Sequence, residues 1–432
     1  MDLPASLPDS TPSTASDGAM ATPTSALMED QGRPDGLTLD AALARMLSSN
    51  LDLIALKYEI PQADADVLTA GLRANPLIYG DTQFIPYGKY GSARPLGPTE
   101  YDLSITHPLD LSSKRRSRVE VARAARSTVE AQFQDAARRQ ISNLYRAYID
   151  LQVARLNMLT SSAAVKDQER INERAKKTLN AGEDLSRLDV RLLKAVDSLQ
   201  DAQDSLDDAR EAVALLLNFR PEETSDLDPC GSLRNLAPSP PPLEELTRLT
   251  LATRPDLVAM RWGVGRAESE VKLAKANRFD DVFLFYDPYT YQDNRSTRQP
   301  SGRSWSIGLT VPLPVYNRNQ GNIARAHGNV SQTMVELAAL ERRVVSEVRL
   351  AEREYRNSRV ALERVEQTTL PAARQSRAKA AASFAAGSLS LNDYLDRLDD
   401  DIDTARAYRD ALVRHRRAML DFNTTVGLRL LP

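Results

Sequence analysis

From Leu188 onward the apolar positions recur at alternating steps of four and three: Leu188, Leu192, Ala195, Leu199, Ala202, Leu206, Ala209, Val213 and Leu216. This is an unbroken heptad seam, the pattern of helices packed along their length. Alternating Leu with Ala lets a partner helix approach closely. Between Pro108 and Pro221 there is no proline, and Gly182 is the only glycine. The stretch therefore predicts two long helices with one break. A helix over Lys114 to Asn180, 67 residues, would span roughly 100 Å. The second half keeps the same rhythm. Leu337, Leu340, Val344, Val348, Ala351, Tyr355, Leu362 and Val365 mark one helix, interrupted by a polar turn at Ser358. Pro371 predicts a kink or a seam between two helices. Gly387 breaks the pattern, and Leu395, Leu398, Ile402, Ala405, Leu412, Met419, Phe422 and Val426 mark the last helix.

Two segments in each half switch to period two. Leu77, Tyr79, Asp81, Gln83, Ile85 and Tyr87 alternate with Ile78, Gly80, Thr82, Phe84 and Pro86. Tyr101, Leu103 and Ile105 alternate with Asp102, Ser104 and Thr106. In the second half Val282 to Tyr291 is dense in Phe and Tyr, and Trp305, Ile307, Leu309 and Val311 alternate with small polar residues. The loops between them, Gly88 to Thr99 and Gln292 to Gly302, are polar or rich in Pro and Gly. Alternation over about ten residues, with 10 of the chain's 24 aromatic side chains concentrated in these four segments, fits membrane-spanning strands with interfacial girdles. Four strands of a soluble sheet carry the same alternation.

The two halves are an internal repeat. Pro108-Leu109 and Pro312-Leu313 stand 204 residues apart, and Ala181-Gly182 and Ala386-Gly387 stand 205 apart. Leu51-Asp52-Leu53 likewise matches Pro255-Asp256-Leu257. The expected organisation is a disordered leader over 1–36, a first repeat over 37–227, a Pro-rich linker over 228–242 and a second repeat over 243–432. Each repeat is a helix, a strand pair and a long helical hairpin, so the fold class is mostly α with a small β part. Pro240 to Pro242 favour an extended polyproline segment in the linker.

Composition narrows the function. Of 432 residues, 42% are hydrophobic but only 6% aromatic, and 27% are charged. That balance suits long helices better than a globular core. The net charge of −3 excludes a globally basic nucleic-acid binder. The single cysteine, Cys230, excludes an internal disulfide and a cysteine-cluster metal site. No apolar run approaches the roughly 18 residues of a membrane helix, which leaves a β-barrel open. No enzyme constellation is present. Gly263 and Gly265 sit in a helical pattern without the rest of a phosphate-binding motif, and His107, His327 and His415 lie far apart. The chain is expected to act without catalytic residues, cofactor or metal.

Several short motifs, each weak alone, fall in one order across the duplicated chain. They are Leu37-Thr38-Leu39-Asp40-Ala41-Ala42-Leu43, His107-Pro108-Leu109-Asp110-Leu111, Ala181-Gly182-Glu183-Asp184-Leu185-Ser186, Arg254-Pro255-Asp256-Leu257, the run Val311 to Gly321, and Ala386-Gly387-Ser388-Leu389-Ser390. In these the chain resembles the outer-membrane efflux (TolC) family over roughly residues 37–431. The Pro-Leu-Pro and Asn-Arg-Asn-Gln-Gly elements of the run are most similar to the branch serving cation and heavy-metal exporters. The resemblance implies a homotrimer in outer-membrane lipid. Four strands per protomer would build a shared twelve-stranded barrel, above a helical tunnel through the periplasm. It also implies a passive exit duct of a tripartite efflux or type I secretion-like system. An inner-membrane pump would supply energy through a periplasmic adaptor. Three departures stand out. Residues 1–36 show neither a signal peptide nor a lipidation cysteine, His107 replaces a frequent glutamine, and Arg278-Phe279-Asp280 lacks the proline that Asn75-Pro76 keeps. The competing reading is an intracellular coiled-coil scaffold, which gives no reason for duplicated aromatic strand pairs.

The resemblance also sets candidate sites. Asp393, Asp396, Asp400 and Asp403 fall opposite the apolar seam near the second hairpin turn, as Asp197, Asp201, Asp204 and Asp208 do in the first. They are either a solvated face or, in a trimer, rings of acid lining the periplasmic entrance, which would attract cations. The turns around Gly182, Leu185 and Ser186 and around Gly387, Leu389 and Ser390 are the expected adaptor-docking tips. Their glycines suit positive φ, and Ser186, Asp184 or Ser390 are placed to cap the returning helices. Lys114, Arg115, Arg116 and Arg118 are either a solvated helical turn or a lipid headgroup anchor, and His107 is expected at the barrel rim.

Overall fold

The computed structural model describes residues 32–84, 98–178, 182–235 and 239–431. The leader to residue 31, the strand positions Ile85 to Tyr87, most of the first loop, and Ala181 lie outside the described residues.

Three short helices open the first half: α1 (Leu39–Ser49), α2 (Leu51–Lys57) and α3 (Glu59–Gly71). Strands β1 (Leu77–Phe84) and β2 (Thr99–Leu109) follow. Then come α4 (Lys114–Thr178), 65 residues long, α5 (Gly182–Leu217), 36 residues, and the short α6 (Pro221–Thr224). The second half runs through α7 (Leu243–Thr253), α8 (Pro255–Ala276), β3 (Val282–Asp293) and β4 (Gly302–Thr310). It continues with α9 (Gln320–Arg364), a π turn over Val365–Thr369, α10 (Leu370–Ala385) and α11 (Leu391–Val426), again 36 residues. A residue in left-handed conformation stands just before the first long helix of each half, Ser113 at φ 63° before α4 and Asn319 at φ 56° before α9. These re-aim the chain from strand to helix.

The heptad seam of α5 faces inward along its whole length. Leu188, Ala202, Leu206 and Val213 are buried, and the residues between seam positions are largely exposed. Each half builds a core where its short helices meet its own hairpin. Met46 and Leu53 pack with Leu144, Tyr148, Leu206 and Val213, and Leu246 and Leu257 pack with Val344, Tyr355, Met419 and Phe422. A third cluster joins the halves, with Ile149 and Leu156 of α4 against Leu362, Tyr408 and Leu412.

Two local expectations are corrected. Ser358 does not interrupt α9. It is 1% exposed and continues the seam, its hydroxyl donating to the Tyr355 carbonyl at 2.9 Å. A small side chain whose proton returns to its own helix costs little to bury. Gly32 to Gly36 are also anchored rather than loose. Leu37 N–H donates to the Asp228 carbonyl and Cys230 N–H to that of Leu37, with bridges at Gly32–Cys230 and Leu37–Pro229. The linker's first residues thus pair with the end of the leader. Pro371 acts as a seam. Having no N–H and no room for the carbonyl four residues back, it follows a widened turn in which Leu370 N–H reaches Val365 O.

Candidate functional site

The four strands form one antiparallel sheet in the order β1-β2-β3-β4, so both strand pairs meet in one element and β1 and β4 are open edges. The register sorts the side chains onto two unlike faces. Ile78 opposes Ile105, Leu103 opposes Tyr289, Tyr101 opposes Tyr291, and Tyr286 opposes Ile307. This face is apolar and aromatic, and much of it is bare: Ile78 is 74% exposed and Trp305 68%. The extra residue at Asp287-Pro288 bulges β3 and keeps Tyr286 and Tyr289 on the same side.

The other face is mixed, with Leu77, Tyr79 and Phe285 beside a polar patch. Asp81 stands directly opposite Asp102. Asp287 opposes Ser306 and accepts hydrogen bonds from Ser306 and Ser104. Like charges facing each other across a ladder are destabilising. The Oδ1 atom of Asp81 is shielded from solvent with no hydrogen-bond partner among the described residues. Three strands thus put three carboxylates on one face, an arrangement that sequence reasoning missed. Each aspartate is solitary in the sequence, and only the register assembles them.

At the second hairpin turn Gly387 takes φ 71° and closes α10, with Ser388 N–H bonding back to Ser383 O at 3.0 Å. This is the six-to-one closure of a glycine-terminated helix. Ser390 caps α11, accepting from Asp393 N–H at 3.2 Å, and its hydroxyl donates to the Asp393 carboxylate at 2.6 Å. Phe384 stacks on Tyr394 at 4.5 Å across the turn. Gly182 is the first residue of α5, and the residues just before it, like the Asp184 side chain, lie outside the described residues. Leu389 is half-buried and Ser390 exposed. Leu185 packs with Leu391 and Leu398 on the Leu188–Leu395 contact that joins the two hairpins.

Asp393, Asp396, Asp400 and Asp403 are all exposed on α11. Their neighbours point elsewhere: Asp399 pairs with Arg191 of α5, and Asp401 with Arg377 of α10 at 2.7 Å. Asp403 has a loose pair with Arg406 at 3.3 Å. Asp197, Asp201, Asp204 and Asp208 are exposed on α5.

Where sheet meets helices, Asp110 caps α4 by accepting the N–H groups of Lys114 and Arg115 at 2.9 and 2.7 Å. Burial alone would raise its pKa. The two N–H donors and the charges of Lys114 and Arg118 outweigh that and hold the carboxyl below its ordinary range. Lys114 pairs with Asp281 at 2.8 Å, while Arg115, Arg116 and Arg118 are exposed. His107 lies in β2 opposite Leu284, His327 is exposed on α9, and His415 is buried. Among the described residues no group of three or more His, Cys, Asp or Glu side chains is spaced to hold a metal ion, and no helix is long and apolar enough to cross a membrane.

A sheet with one lipid-compatible face, one face bearing three aspartates and two open edges, joined to long helices of which α4 spans about 100 Å, defines a β-barrel channel protomer with a helical extension. The family model described as Outer membrane efflux protein matches residues 246–411. The cobalt-zinc-cadmium resistance protein CzcC of Cupriavidus metallidurans is 25% identical over 366 residues, 83% of this chain and 82% of CzcC. The outer-membrane channel CmeC of Campylobacter jejuni superposes with a TM-score of 0.73 at 15% identity, over 99% of this chain and 93% of CmeC. The outer-membrane protein VceC of Vibrio cholerae superposes with a TM-score of 0.72 at 18% identity, over 90% and 96%. In sequence the chain is thus similar to the outer membrane efflux proteins, through the family model over residues 246–411 and through CzcC over most of its length. These likenesses, with the fold, make it an efflux channel of the outer membrane with a periplasmic extension.

Proposed function

We propose that the protein is the passive exit duct of a tripartite efflux system, working as a homotrimer. The observation that carries this reading is the sheet, with its two open edges and two unlike faces. An open edge in lipid leaves backbone N–H and C=O groups without partners, at several kcal/mol each. Three copies joined edge to edge close twelve strands, put the aromatic face in lipid and turn Asp81, Asp102 and Asp287 into the lumen. The two repeats, 37–227 and 243–432 joined through 228–242, then give each protomer two helical hairpins to the tunnel wall.

The cargo class is cationic. Support comes from the acidic lumen face of the barrel, the exposed stripe Asp393 to Asp403, and the likeness to a cobalt-zinc-cadmium resistance protein. The duct binds no cofactor and does no chemistry on its cargo. An inner-membrane pump supplies the energy, and a periplasmic adaptor docks on the tips at Gly182 to Ser186 and Gly387 to Ser390. The Leu188–Leu395 contact and the Arg191–Asp399 pair hold the two hairpins of one protomer together near the entrance, so opening moves the second hairpin away from α5.

The test is electrical. Reconstituted trimer should conduct in a planar bilayer and be blocked by multivalent cations from the periplasmic side. Asp393→Asn with Asp396→Asn should weaken that block, since Asn at 393 still accepts the Ser390 hydroxyl and keeps the cap. Unchanged block returns the stripe to a solvated face. A stable detergent-free monomer with native helicity overturns the duct itself.

A further inference from the structure

The apolar face of the sheet does not stop where the strands stop. Beyond β4 exposure still alternates. Val311, Leu313 and Val315 are 54%, 75% and 57% exposed between half-buried Pro312 and Pro314, and Tyr316 is 92% exposed. Leu111, after β2, is 74% exposed. These residues continue the lipid-facing stripe beyond the last ladder hydrogen bond.

The same level carries a band of cations. The start of α4 is held to the end of α8 by Lys114–Asp281 and Lys272–Glu120. Asn319 donates from Nδ2 to the Ala274 carbonyl at 2.8 Å, which brings the segment after β4 to the same place. Arg115, Arg118, Lys275, Arg278 and Arg318 therefore share one belt. All five are exposed, and none makes an ion pair within 4 Å among the described residues. The nearby carboxylates are committed: Asp110 to the α4 cap, Asp281 to Lys114, and Glu120 to both Arg116 and Lys272. Asp280 remains exposed. The Arg278 guanidinium lies over the Phe279 ring, 5.4 Å from its centre.

We propose that this belt is a binding surface for the headgroup phosphates of anionic phospholipids in the periplasm-facing leaflet. It fixes the depth at which the channel sits. The proposal rests on the outer-membrane duct reading, which supplies the bilayer. Long cationic side chains beside exposed apolar residues lay their stems along the acyl boundary and their heads among phosphates. Arginine binds phosphate through two parallel N–H donors. Free phosphate would leave Leu313 and Tyr316 uncovered, whereas a lipid covers them and neutralises the arginines together.

The experiment uses the full-length trimer in nanodiscs of phosphatidylethanolamine, with phosphatidylglycerol or phosphatidylcholine added. Native mass spectrometry counts retained lipids, and circular dichroism follows helix melting. Wild type should retain phosphatidylglycerol over phosphatidylcholine and melt higher with it, and salt should erode the preference. Arg115→Gln, Arg118→Gln and Arg278→Gln together should lower it on the order of 100-fold, about fivefold per cation. The corresponding triple Lys variant should keep most of it, and Arg303→Gln on β4 should not change it. Equal retention of both lipids by wild type overturns the proposal without any variant, as does a triple Gln variant that keeps the preference. In that case the apolar strap is covered by the neighbouring protomer. Failure to form trimers in any lipid sinks the duct reading instead.

Discussion

Arg254 shows how one motif residue is used. It is 5% exposed, pairs with Glu347 at 2.6 Å and with Asp256 at 3.0 Å, and donates to the Thr425 carbonyl at the end of α11. Asn50, 204 residues earlier, does the same job with other chemistry. Its Oδ1 caps α2, and its Nδ2 holds the Leu216 carbonyl at the end of α5 at 2.9 Å. In both halves the start of a short helix is tied to the end of the long hairpin. Arg254→Met should cost about 2 kcal/mol, less than a fully buried pair because Glu347 reaches solvent. A lowered apparent melting temperature with unchanged helicity at low temperature is the readout. His415 offers a pH test. Ser358 spends its proton on the Tyr355 carbonyl, so His415 Nδ1 donates to Ser358 Oγ at 3.2 Å, and Nε2 is left buried without a partner among the described residues. Burial first, then the charges of Arg359 and Arg416, push its pKa below the ordinary value, against the smaller opposing pull of Glu363 and Glu366. A base with a depressed folded pKa binds fewer protons folded than unfolded. Its stabilising contribution is therefore whole above about 6.5 and is lost as pH falls below that toward the folded value. Between about pH 7 and about pH 5 the melting temperature of wild type should drop more than that of His415→Gln. Equal slopes would place the titration elsewhere.

At the scale of elements, the sheet contains one contact that only its register creates. Gly308 opposes Phe285, and a Cβ built at Gly308 would lie 2.2 Å from the Phe285 ring. The ring covers the glycine, which otherwise weakens a strand. Gly308→Val must displace that ring from both strands, and the trimer should dissociate at lower temperature in a gel-shift assay. Unchanged thermal dissociation would mean that the ring moves freely. The tips give a second test. Leu185 belongs to the contact between hairpins, so a bulky residue there disturbs packing as well as docking. Leu389 lies outside that cluster. Leu389→Trp should leave assembly and insertion intact while abolishing efflux and crosslinking to the adaptor through a cysteine at Ser390. Normal export in that variant would remove the tip from the docking surface.

At the scale of the whole molecule, the acidic face of the sheet becomes meaningful only when closed. One protomer places Asp81, Asp102 and Asp287 on an open surface, where solvent screens them. In a closed barrel three sets of them share a narrow aqueous lumen, and their field adds. Asp102→Asn should lower the cation-over-anion permeability ratio, read as a shift of reversal potential in a salt gradient. Because it also relieves the repulsion against Asp81, the variant should be no less stable than wild type. A reversal potential that does not move would assign selectivity to the helical tunnel alone.

The long helices, their seam, their breaks near Gly182 and Gly387, and the paired strands were legible in the amino-acid order. Each rests on a local periodicity or on a residue whose backbone limits are its own. Pro371 marked its seam for the same reason. Tertiary structure alone decided which distant residues meet. Asp81 and Asp102 are adjacent only through strand register, and Arg191 and Asp399 only through the packing of separate hairpins. Ser358 reads as a polar break in sequence and is a buried seam residue in the fold, because its hydroxyl finds a carbonyl on its own helix and a histidine on another. Gly32 to Gly36 look like leader, yet the Tyr148 hydroxyl, 2.7 Å from the Leu37 carbonyl and 2.6 Å from that of Cys230, helps hold the segment that follows them to the linker. Periodicity is written in neighbouring residues and can be read from them. Pairing between elements depends on the closure of the whole chain, and no short window of sequence contains it.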